Sequence, residues 1–595
     1  MPKVIVFGVD GLSMPLMKRY AANGDLPNIA AMLAGGAGCE LLPYISAWGD
    51  VNWVAFMAGQ GLGTCWAGQS MPPDNTASAN LLGRMAEKHL RAAMVHFPES
   101  IATAAPHASY APYWGRGQRW PSEVFPPMGH TAELDERPAP PRQTLGWPPK
   151  AALAYHNKGA WKALTRQGEG YVLELAGHDG KRLTATLTAH AGRAHLRLGE
   201  HTQPLETGAW SPWLDLAPLD VPGSVRFYLG RFDLANNDVE ILQSQVTHRQ
   251  RLTDDPTLAA VAADLPGPFF SKWVMKASPD ERYRQAAYDE AEDQSLWLAQ
   301  NALDLTQRHG FSLWATVHRL VDESHHNCLG QCDPASPLYN PARAETFDQV
   351  MRECYQVLDR SLGKLMAEMD DDTVLMLASD HGAVPNAYMC DIYRYLETHG
   401  LVVLKANGAP DMGRSQVYLK DERGGLEIFV NLAGREPSGI VAQSDFDAVC
   451  AKTLLALGSW SVLDKGAQRN AVSLALLKDD AVGLGFWGPC AGDIIFAYNA
   501  GFVWGVSPGG EAICPVDAPG ANHGPQKPTA ETAMASNYGA LVMYGAGIRR
   551  GYYRDRRALG PYRMIDPAAT IAHLLGLPLD TLDGRVMHDL LAPAR

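Results

Sequence analysis

The sequence predicts an α/β protein whose core is a doubly wound, mostly parallel sheet flanked by helices. Three short apolar runs, at residues 3–10, 311–317 and 373–378, have the composition of buried strands, and acidic side chains stand at or soon after their ends. A long amphipathic stretch at 281–308 is typical of a helix. Strands that alternate with long helices indicate parallel pairing, because parallel strands are joined by helical crossovers.

The N-terminal part contains two further predicted elements and one long connection. Residues 27–33 follow the first strand and have the pattern of a helix, and residues 92–97 form another short buried strand. From about 105 to 150 the chain is rich in Pro, Gly, Trp and Arg without sustained periodicity, which is typical of a loop or lid. We therefore expect this segment to lie outside the core.

A change of pattern in the middle of the chain predicts an inserted β-rich domain. Between about 165 and 250, apolar and polar residues alternate in short runs separated by Gly or Asp, as in half-buried strands. The sequence therefore predicts a discontinuous core at 1–150 and 270–595, with the insertion at 160–255. A small α+β subdomain is predicted within the core, at 395–475.

Composition limits the partners and the compartment. A formal net charge of -13 over 595 residues argues against a nucleic acid duplex as the main partner. No run approaches the roughly 18 apolar residues that span a membrane, and the first apolar run is too short for a signal peptide. Nine scattered cysteines, an odd number, argue against a disulfide framework. We expect a cytoplasmic protein that binds neither a duplex nor a membrane.

Acidic and histidine side chains gather where the predicted strands end. Asp10 follows the first strand, and the adjacent pair Asp380 and His381 follows the run at 373–378. Asp322 and His326 are four residues apart, which places them on one face of a helical turn, and His523 stands in a polar, Gly-rich segment. Any one of these could be a helix cap or a solvated surface residue. Together they indicate a site for a divalent metal.

This ordered set of residues resembles the metal ligands of the alkaline phosphatase superfamily, most closely those of its type I phosphodiesterase and nucleotide pyrophosphatase branch. The resemblance covers residues 3–60, 311–395 and about 480–595, including a C-terminal segment similar to the closing helix and tail of that family. It implies an alkaline-phosphatase-like fold. It also implies a hydrolase of phosphodiester, pyrophosphate or related ester substrates that uses two metal ions.

The resemblance assigns the ligands to two metal ions. One ion would be held by Asp322, His326 and His523, and the other by Asp10, Asp380 and His381. Mixed oxygen and nitrogen ligands favour Zn²⁺, with Mn²⁺ as the next choice. The neighbouring His325 lacks the family spacing and is expected to support the site from outside or to be solvated.

The sequence departs from the family at the nucleophile. The family has a Thr or Ser at the start of the helix after the second strand, and aligning Asn52 with the family Asn puts Gly49 at that position. Asp50 could take its place as a metal or substrate contact, with a helix N-cap as the alternative. Direct attack by a metal-bound water and attack by Ser46 rank second and third. Asn52 would stabilise the developing oxyanion, or act as a cap or turn residue.

Three further residues are candidates for contact with an anionic small-molecule substrate, namely Trp48, His96 and Arg319. Trp53 could line the pocket or lie in the core. The missing hydroxyl leaves two alternatives to hydrolysis. The same two metals could serve a lyase, isomerase or transferase of a specialised biosynthetic pathway, or the chain could be a binding protein without activity.

Overall fold

A computed structural model describes most of the chain. The described residues are 2–45, 50–62, 80–98, 108–110, 123–135, 137, 142–145, 161–177, 179–248, 251–252, 261, 265, 267–279, 281–419, 427–488, 491–524 and 526–593.

A large central sheet organises the fold, and nine of its strands lie in the described residues. Across the sheet, eight strands follow one another in the order Tyr552–Tyr553, Ala37–Leu42, Gly539–Gly545, Thr373–Ala378, Lys3–Val9, Phe311–His318, Arg91–Val95 and Ala108–Tyr110, while Tyr562–Arg563 also pairs with the second of them. Every pairing is parallel except the two made by Gly539–Gly545. The predicted mostly parallel sheet is confirmed.

Helices cover both faces of this sheet, as its first strand shows. Val4 and Val6 point into one apolar core, whereas Ile5 and Phe7 point into another. A strand buried on both faces is continuously apolar, which is why residues 3–9 show no alternation. The helices are Met14–Ala22, Pro27–Gly35, Asp50–Ala58, Leu81–Glu87, Glu281–Leu303, Leu320–Cys332, Ala344–Glu368, Ile392–Thr398, Phe446–Ser459, Arg556–Leu559 and Asp566–Leu574, with a π-helical turn at Asp304–Arg308.

The middle of the chain forms β-sheets, as the alternation predicted, and all their pairings are antiparallel except that of Met128–Thr131 with Trp161–Ala163. One sheet contains Thr165–Gln167, Gly170–Ala176, Arg182–His190, Arg193–Leu198 and His201–Leu205, and another contains Phe227–Asp233, Asp238–Gln243, Met128–Thr131 and Trp161–Ala163. Their apolar faces enclose a separate core. Two smaller pairs complete the region, Leu214–Asp215 with Ser224–Val225 and Val246–Thr247 with Glu123–Phe125.

The expectation that 105–150 is loop alone is wrong for its described parts, since four short strands occur there. Met128–Thr131 pairs with Asp238–Gln243, and Thr144–Leu145 pairs with Phe502–Val506. These strands have two to four residues, too few to show a period. Three of them have a partner more than 100 residues away, whereas Ala108–Tyr110 pairs with the nearby strand Arg91–Val95.

The remaining strands lie in the C-terminal half. A four-stranded antiparallel sheet packs against the helix Phe446–Ser459 and consists of Val417–Leu419, Glu427–Val430, Ile494–Tyr498 and Val472–Leu477. A second sheet joins Ile513–Pro515, Tyr388–Cys390 and Phe502–Val506 to Thr144–Leu145. Two antiparallel pairs remain, the hairpin Ser461–Asp464 with Ala467–Asn470 and the long-range pair Val384–Pro385 with Ala521–Asn522. Among the described residues, none of the helices combines the length and hydropathy that crossing a bilayer demands.

Gly8 illustrates how tightly the first strand is packed. A Cβ atom at this position would collide with the carbonyl oxygen of Thr316 on the neighbouring strand and would lie 2.8 Å from the ring of Trp53. We expect Gly8→Ala to lower the free energy of unfolding by about 2 kcal/mol or more, because neither the backbone nor the buried ring can move aside. Urea unfolding of the purified variant measures the change.

Gly458→Ala is the matched control, because a Cβ there meets nothing within 4 Å and the residue lies in a helix. This control should leave stability unchanged or raise it by up to about 1 kcal/mol. Equal stability of the Gly8 variant and the control would contradict the packing argument.

Candidate metal centre

The candidate metal ligands begin at the carboxyl ends of three neighbouring strands. Asp10 follows Lys3–Val9 directly, and its backbone N–H donates to the carbonyl of His318 at the end of the adjacent strand, at 2.9 Å. The carbonyl of Asp10 accepts from the N–H of Asp322, at 3.1 Å. On the other side, Asp380 lies two residues beyond Thr373–Ala378. The side chains therefore meet at one edge of the sheet, where open α/β folds bind ligands.

The helix Leu320–Cys332 brings two predicted ligands together. His326 Nε2 lies 3.2 Å from Asp322 Oδ1, one helical turn away, as their spacing predicted. The other ring nitrogen of His326, Nδ1, lies 2.7 Å from the carbonyl of Ala521 and donates to it, which turns Nε2 toward the carboxylate. His523 Nε2 lies 3.7 Å from the same Asp322 oxygen. These three side chains form one group that could hold a metal.

A second group surrounds His381. Its Nε2 lies 3.3 Å from Asp10 Oδ1 and 3.0 Å from Asp380 Oδ2, and its Nδ1 donates to the carbonyl of Gly382 at 2.9 Å. Asp380 is oriented by its other oxygen, which accepts from the N–H of Gly11 at 3.2 Å. Gly11 itself has a φ of 71°, and a Cβ there would lie 2.9 Å from the side chain of Asp322, so glycine permits this approach.

The two groups are one continuous cluster. Asp322 belongs to both, since ligand atoms of Asp10, Asp322 and His381 also lie within 4.8 Å of one another. The rings of His381 and His523 stack with their centroids 3.4 Å apart. All six predicted ligands are thus brought together, and only His326 is partly exposed.

The side-chain oxygen and nitrogen atoms of this cluster are suitable ligands for a divalent metal. Asp322 Oδ1, Asp380 Oδ2 and His381 Nε2 are buried, and none makes a well-aligned hydrogen bond among the described residues, although each lies within about 3.2 Å of a neighbouring group of the cluster. Buried polar atoms without partners cost free energy, particularly when they carry charge. A cation placed among them would supply the missing interactions, and a mixed set of carboxylate and imidazole donors suits Zn²⁺ or Mn²⁺.

Protonation in this pocket reflects the crowding of negative charge. Burial, together with the carboxylates of Asp380 and Asp322, raises the pKa of Asp10 well above its usual range. Burial alone would lower the pKa of His381, but Asp380 and Asp10 outweigh it and raise that pKa to about 10. Burial also lowers the pKa of His523 well below its usual value. In the metal-free cluster, protons therefore supply part of the positive charge that the carboxylates require.

His325 supports the cluster from behind and is not solvated, so that alternative is wrong. Its ring is fully buried, and Nε2 lies 3.2 Å from the hydroxyl of Tyr355. The same hydroxyl accepts from the backbone N–H of Ser13 at 3.2 Å. Burial lowers the pKa of His325 to about 3, so the ring is neutral.

The predicted catalytic residues belong to the helix Asp50–Ala58. Asp50 is its first residue and half-buried, and neither metal-binding group found among the described residues includes it. Asn52 is buried, and its side-chain oxygen accepts from the backbone N–H of Tyr44 at 2.8 Å, which orients its amide group. Trp53 lies in the hydrophobic core, which was one of the two positions predicted for it.

Three predicted positions, Ser46, Trp48 and Gly49, lie outside the described residues. The nucleophile and the role of Trp48 therefore remain predictions.

The two candidate substrate contacts at neighbouring strand ends differ in their surroundings. Arg319 precedes the helix Leu320–Cys332, and its Nε lies 3.9 Å from Asp10 Oδ2, so it brings a positive charge to the cluster. His96 follows the strand Arg91–Val95 with a φ of 51°, and its buried ring packs edge-on against Phe269 at 5.5 Å. The structure thus places Arg319 beside a predicted ligand.

Sequence reasoning missed the contribution of residues 267–279, which run past the same edge. Trp273 stacks on His318 with centroids 5.5 Å apart, and Lys276 Nζ lies 3.3 Å from Glu323, the neighbour of Asp322. Burial lowers the pKa of His318 to about 4. The only local signal was a tryptophan between two lysines just before a long helix, which is too common to single out.

The sequence profile of the type I phosphodiesterase / nucleotide pyrophosphatase family matches residues 243–467. This range contains four of the six predicted ligands, Asp322, His326, Asp380 and His381, while the other two lie outside it. The match confirms the resemblance to this branch of the alkaline phosphatase superfamily. No curated protein matches the chain in sequence.

Solved structures of similar fold include murine ectonucleotide pyrophosphatase / phosphodiesterase 5, which is 10% identical with 100% of both chains covered and a TM-score of 0.44. Wild type alkaline phosphatase PafA is 12% identical, with 100% of this chain and 99% of that chain covered and a TM-score of 0.44. Phosphonoacetate hydrolase from Sinorhizobium meliloti is 11% identical, with 97% and 95% covered and a TM-score of 0.43. Similarity at this level implies nothing about the chemistry of the present chain.

Proposed function

We propose that this relative of the type I phosphodiesterases is a hydrolase of phosphodiester, pyrophosphate or related ester substrates that requires two divalent metal ions. The observation that carries the proposal is the largely buried cluster of three carboxylates and three imidazoles, in which several potential ligand atoms make no well-aligned hydrogen bond among the described residues. The family match over residues 243–467 supports the same chemistry. Zn²⁺ is the proposed metal, with Mn²⁺ as the alternative.

The six side chains would divide as the resemblance implies. Asp322, His326 and His523 would hold one ion, and Asp10, Asp380 and His381 the other. Two divalent ions so held supply Lewis acidity at the phosphoryl oxygen and neutralise charge on the attacking and leaving oxygens. The protein keeps the donors in place through backbone contacts, such as the bond from Gly11 N–H to Asp380.

In the proposed reaction, an oxygen nucleophile forms a new bond to phosphorus while the bond from phosphorus to the leaving oxygen breaks. The leaving oxygen takes up a proton, and water is the final acceptor of the phosphoryl group. Asp50 is the first candidate for contact with the reacting group, because it begins the helix that would carry the family nucleophile. Direct attack by water ranks second and attack by Ser46 third. Asn52 would donate its oriented amide to the developing negative charge.

Metal content and turnover together test the proposal. The purified protein, supplied with Zn²⁺ or Mn²⁺, should bind two ions per chain by elemental analysis and should hydrolyse bis(4-nitrophenyl) phosphate or a nucleotide pyrophosphate. Asp380→Asn should abolish that activity. Failure to bind metal stoichiometrically would overturn the proposal, and metal binding without turnover of any phosphate, phosphonate or sulfate ester would favour the binding-protein alternative.

Gly49 motivates a second candidate reaction, because glycine has no hydroxyl for a covalent phospho-enzyme. The same two metals would then serve elimination, isomerisation or group transfer in a specialised biosynthetic pathway. Rapid hydrolysis of a simple diester, lost in Asp380→Asn, counts against this alternative. Formation of a product without uptake of oxygen from labelled water would favour it.

We also propose a small anionic molecule as the substrate and the cytoplasm as the location. The net charge of -13 opposes binding to a nucleic acid duplex. Seven cysteines among the described residues are free thiols, and six of them are buried, which suits a reducing compartment. Fractionation of the producing cells tests the location.

Arg319 is expected to bind the anionic substrate beside the metals. Arg319→Gln should lower kcat/KM by about 10- to 100-fold, since a charge-assisted hydrogen bond contributes about 1.5–3 kcal/mol. Arg319→Lys should restore part of the loss, because it keeps the charge but not the planar geometry. Steady-state kinetics and metal analysis should show a loss of activity with two ions still bound.

Arg308→Gln is the matched control, because its side chain is largely exposed and forms an ion pair with Asp304 one turn earlier. Equal kcat/KM values for the Arg319 variant and this control would exclude a role of Arg319 in substrate binding.

A further inference from the structure

A cavity of about 340 Å³ lies beside the strand Ala37–Leu42, and its polar wall is formed by Lys527, Asn470, Asn499, Ser473 and Thr529. Leu42 closes it on the side of the central sheet. Its volume is at the lower end of the range found for small-molecule pockets. The cavity can therefore hold part of a substrate, such as one arm of an ester.

The register of the central sheet places this cavity close to the metal centre. Cys39 and Ala378 are both paired with Leu541, so they stand at the same height in the sheet. Leu42 is three residues beyond Cys39, and His381 is three residues beyond Ala378, toward the same carboxyl edge. Two strand spacings, about 10 Å, separate these two positions across the sheet.

The charge of the cavity wall is positive. Lys527 is half-buried and makes no ion pair within the described part of the chain. The residues that line the cavity include no Asp or Glu. A partly buried ammonium group without a counterion is costly, and an anionic ligand group would offset that cost. The exposed amide of Asn470 and hydroxyl of Thr529 offer further hydrogen-bond donors.

The backbone around Lys527 is held firmly. Its N–H donates to the carbonyl of Tyr498 at 2.7 Å, and its carbonyl accepts from Ala530 at 2.9 Å. The preceding residue, Gln526, accepts from the N–H of Gly501 at 2.7 Å. Lys527 is also only four residues from the predicted ligand His523, so the cavity and the metal centre share one segment of chain.

We propose that this cavity binds the non-reacting arm of the substrate and that Lys527 recognises a second anionic group, a carboxylate or a phosphate, on that arm. The inference rests on the proposed ester hydrolysis and specifies its substrate class: an ester whose non-reacting arm carries a second negatively charged group. Arg319 lies near the opposite side of the cluster, toward the strand Phe311–His318, and does not line the cavity.

Matched substrates test this assignment on the metal-loaded full chain. Three 4-nitrophenyl phosphodiesters would be compared, with a second arm ending in a carboxylate, in a phosphate, or in the neutral methyl ester of the carboxylate. Lys527→Met should lower kcat/KM for an anionic arm by about 10- to 100-fold while changing the neutral ester less than threefold. Lys527→Arg should retain most of the preference. The preferred arm distinguishes carboxylate from phosphate.

Lys405→Met is the control, because Lys405 is exposed and does not line the cavity. Equal losses on anionic and neutral esters in Lys527→Met would overturn the assignment while leaving the hydrolase function intact. If wild type hydrolyses none of the esters, the proposed function fails on its own. Calorimetric binding of the same esters to wild type and Lys527→Met then decides the cavity: a preference for the anionic arm that the variant loses supports it, and equal affinities refute it.

Discussion

Replacing Asp322 by asparagine is expected to lower kcat by about 1000-fold or more and to reduce the bound metal from two ions to one or none. Asp322 is the one carboxylate common to both metal-binding groups, with His326 at 3.2 Å and His523 at 3.7 Å from the same oxygen. The change keeps the size of the side chain but removes its negative charge. Loss of about 4 kcal/mol of transition-state stabilisation by the metals corresponds to that factor.

Elemental analysis and steady-state kinetics on the same preparation measure both effects. Asp371→Asn is the matched control, because Asp371 is exposed and lies in the turn before the strand Thr373–Ala378. Circular dichroism establishes that the variant is folded. An Asp322→Asn protein that retains two ions and more than a tenth of the activity would show that Asp322 does not hold a catalytic metal.

Most of the side chains that meet in this cluster could be predicted from the sequence because they are marked locally. Asp10 and Asp380 follow apolar runs, and Asp322 with His326 has helical spacing. Parallel pairing then brings the strand ends together without further information. Two features could not be predicted in this way. The sharing of Asp322 by both groups, and the stacking of His381 on His523, depend on contacts between residues more than 50 positions apart.

The short strands within 105–150 show the same limit at the level of the fold. Met128–Thr131 has four residues, and only its pairing with Asp238–Gln243 makes it a strand. Its composition, which includes Gly129, gave no reason to expect one. Gly129 is nevertheless favourable there, because the ring of Trp161 packs where a Cβ would be. Tertiary contacts therefore decided the structure of a segment whose local pattern indicated a loop.

Asn52 combines a feature that could be predicted with one that could not. Its alignment with the family Asn placed it near the start of a helix after the second strand, which is the helix Asp50–Ala58. Its bond to Tyr44 N–H across the turn was not predictable, since it depends on the path of the chain between the second strand and that helix. By fixing the side-chain oxygen, this bond determines where the amide can donate.

Removal of the metals is expected to destabilise the protein more strongly as the pH rises from about 6.5 to 9. In the metal-free cluster the pKa of His381 is raised to about 10 and that of Asp10 is raised as well. A group with a raised pKa in the folded state contributes stability below its unfolded pKa, near 6.5 for His, and this contribution is lost as the pH rises toward the folded value. Protons and metal ions thus neutralise the same carboxylates, so the metal-free protein depends on the protons.

The same competition sets the pH dependence of metal affinity. Binding of a metal to His381 must displace its proton at any pH below about 10, so the apparent affinity should rise by up to tenfold per pH unit for each proton released. At a free metal concentration 1000-fold above Kd, one bound ion stabilises the native protein by about 4 kcal/mol. The drop in melting temperature on chelation should therefore be larger at pH 9 than at pH 6.5.

Calorimetric titration of Zn²⁺ in two buffers with different heats of ionisation counts the protons released, and thermal unfolding with and without chelator measures the stabilisation. His381→Gln should release at least one proton fewer, whereas the exposed His201→Gln should behave as wild type. A metal affinity that does not change between pH 7 and 9 would mean that His381 is already neutral in the metal-free site. The carboxylates around it would then be balanced by a charge other than its proton.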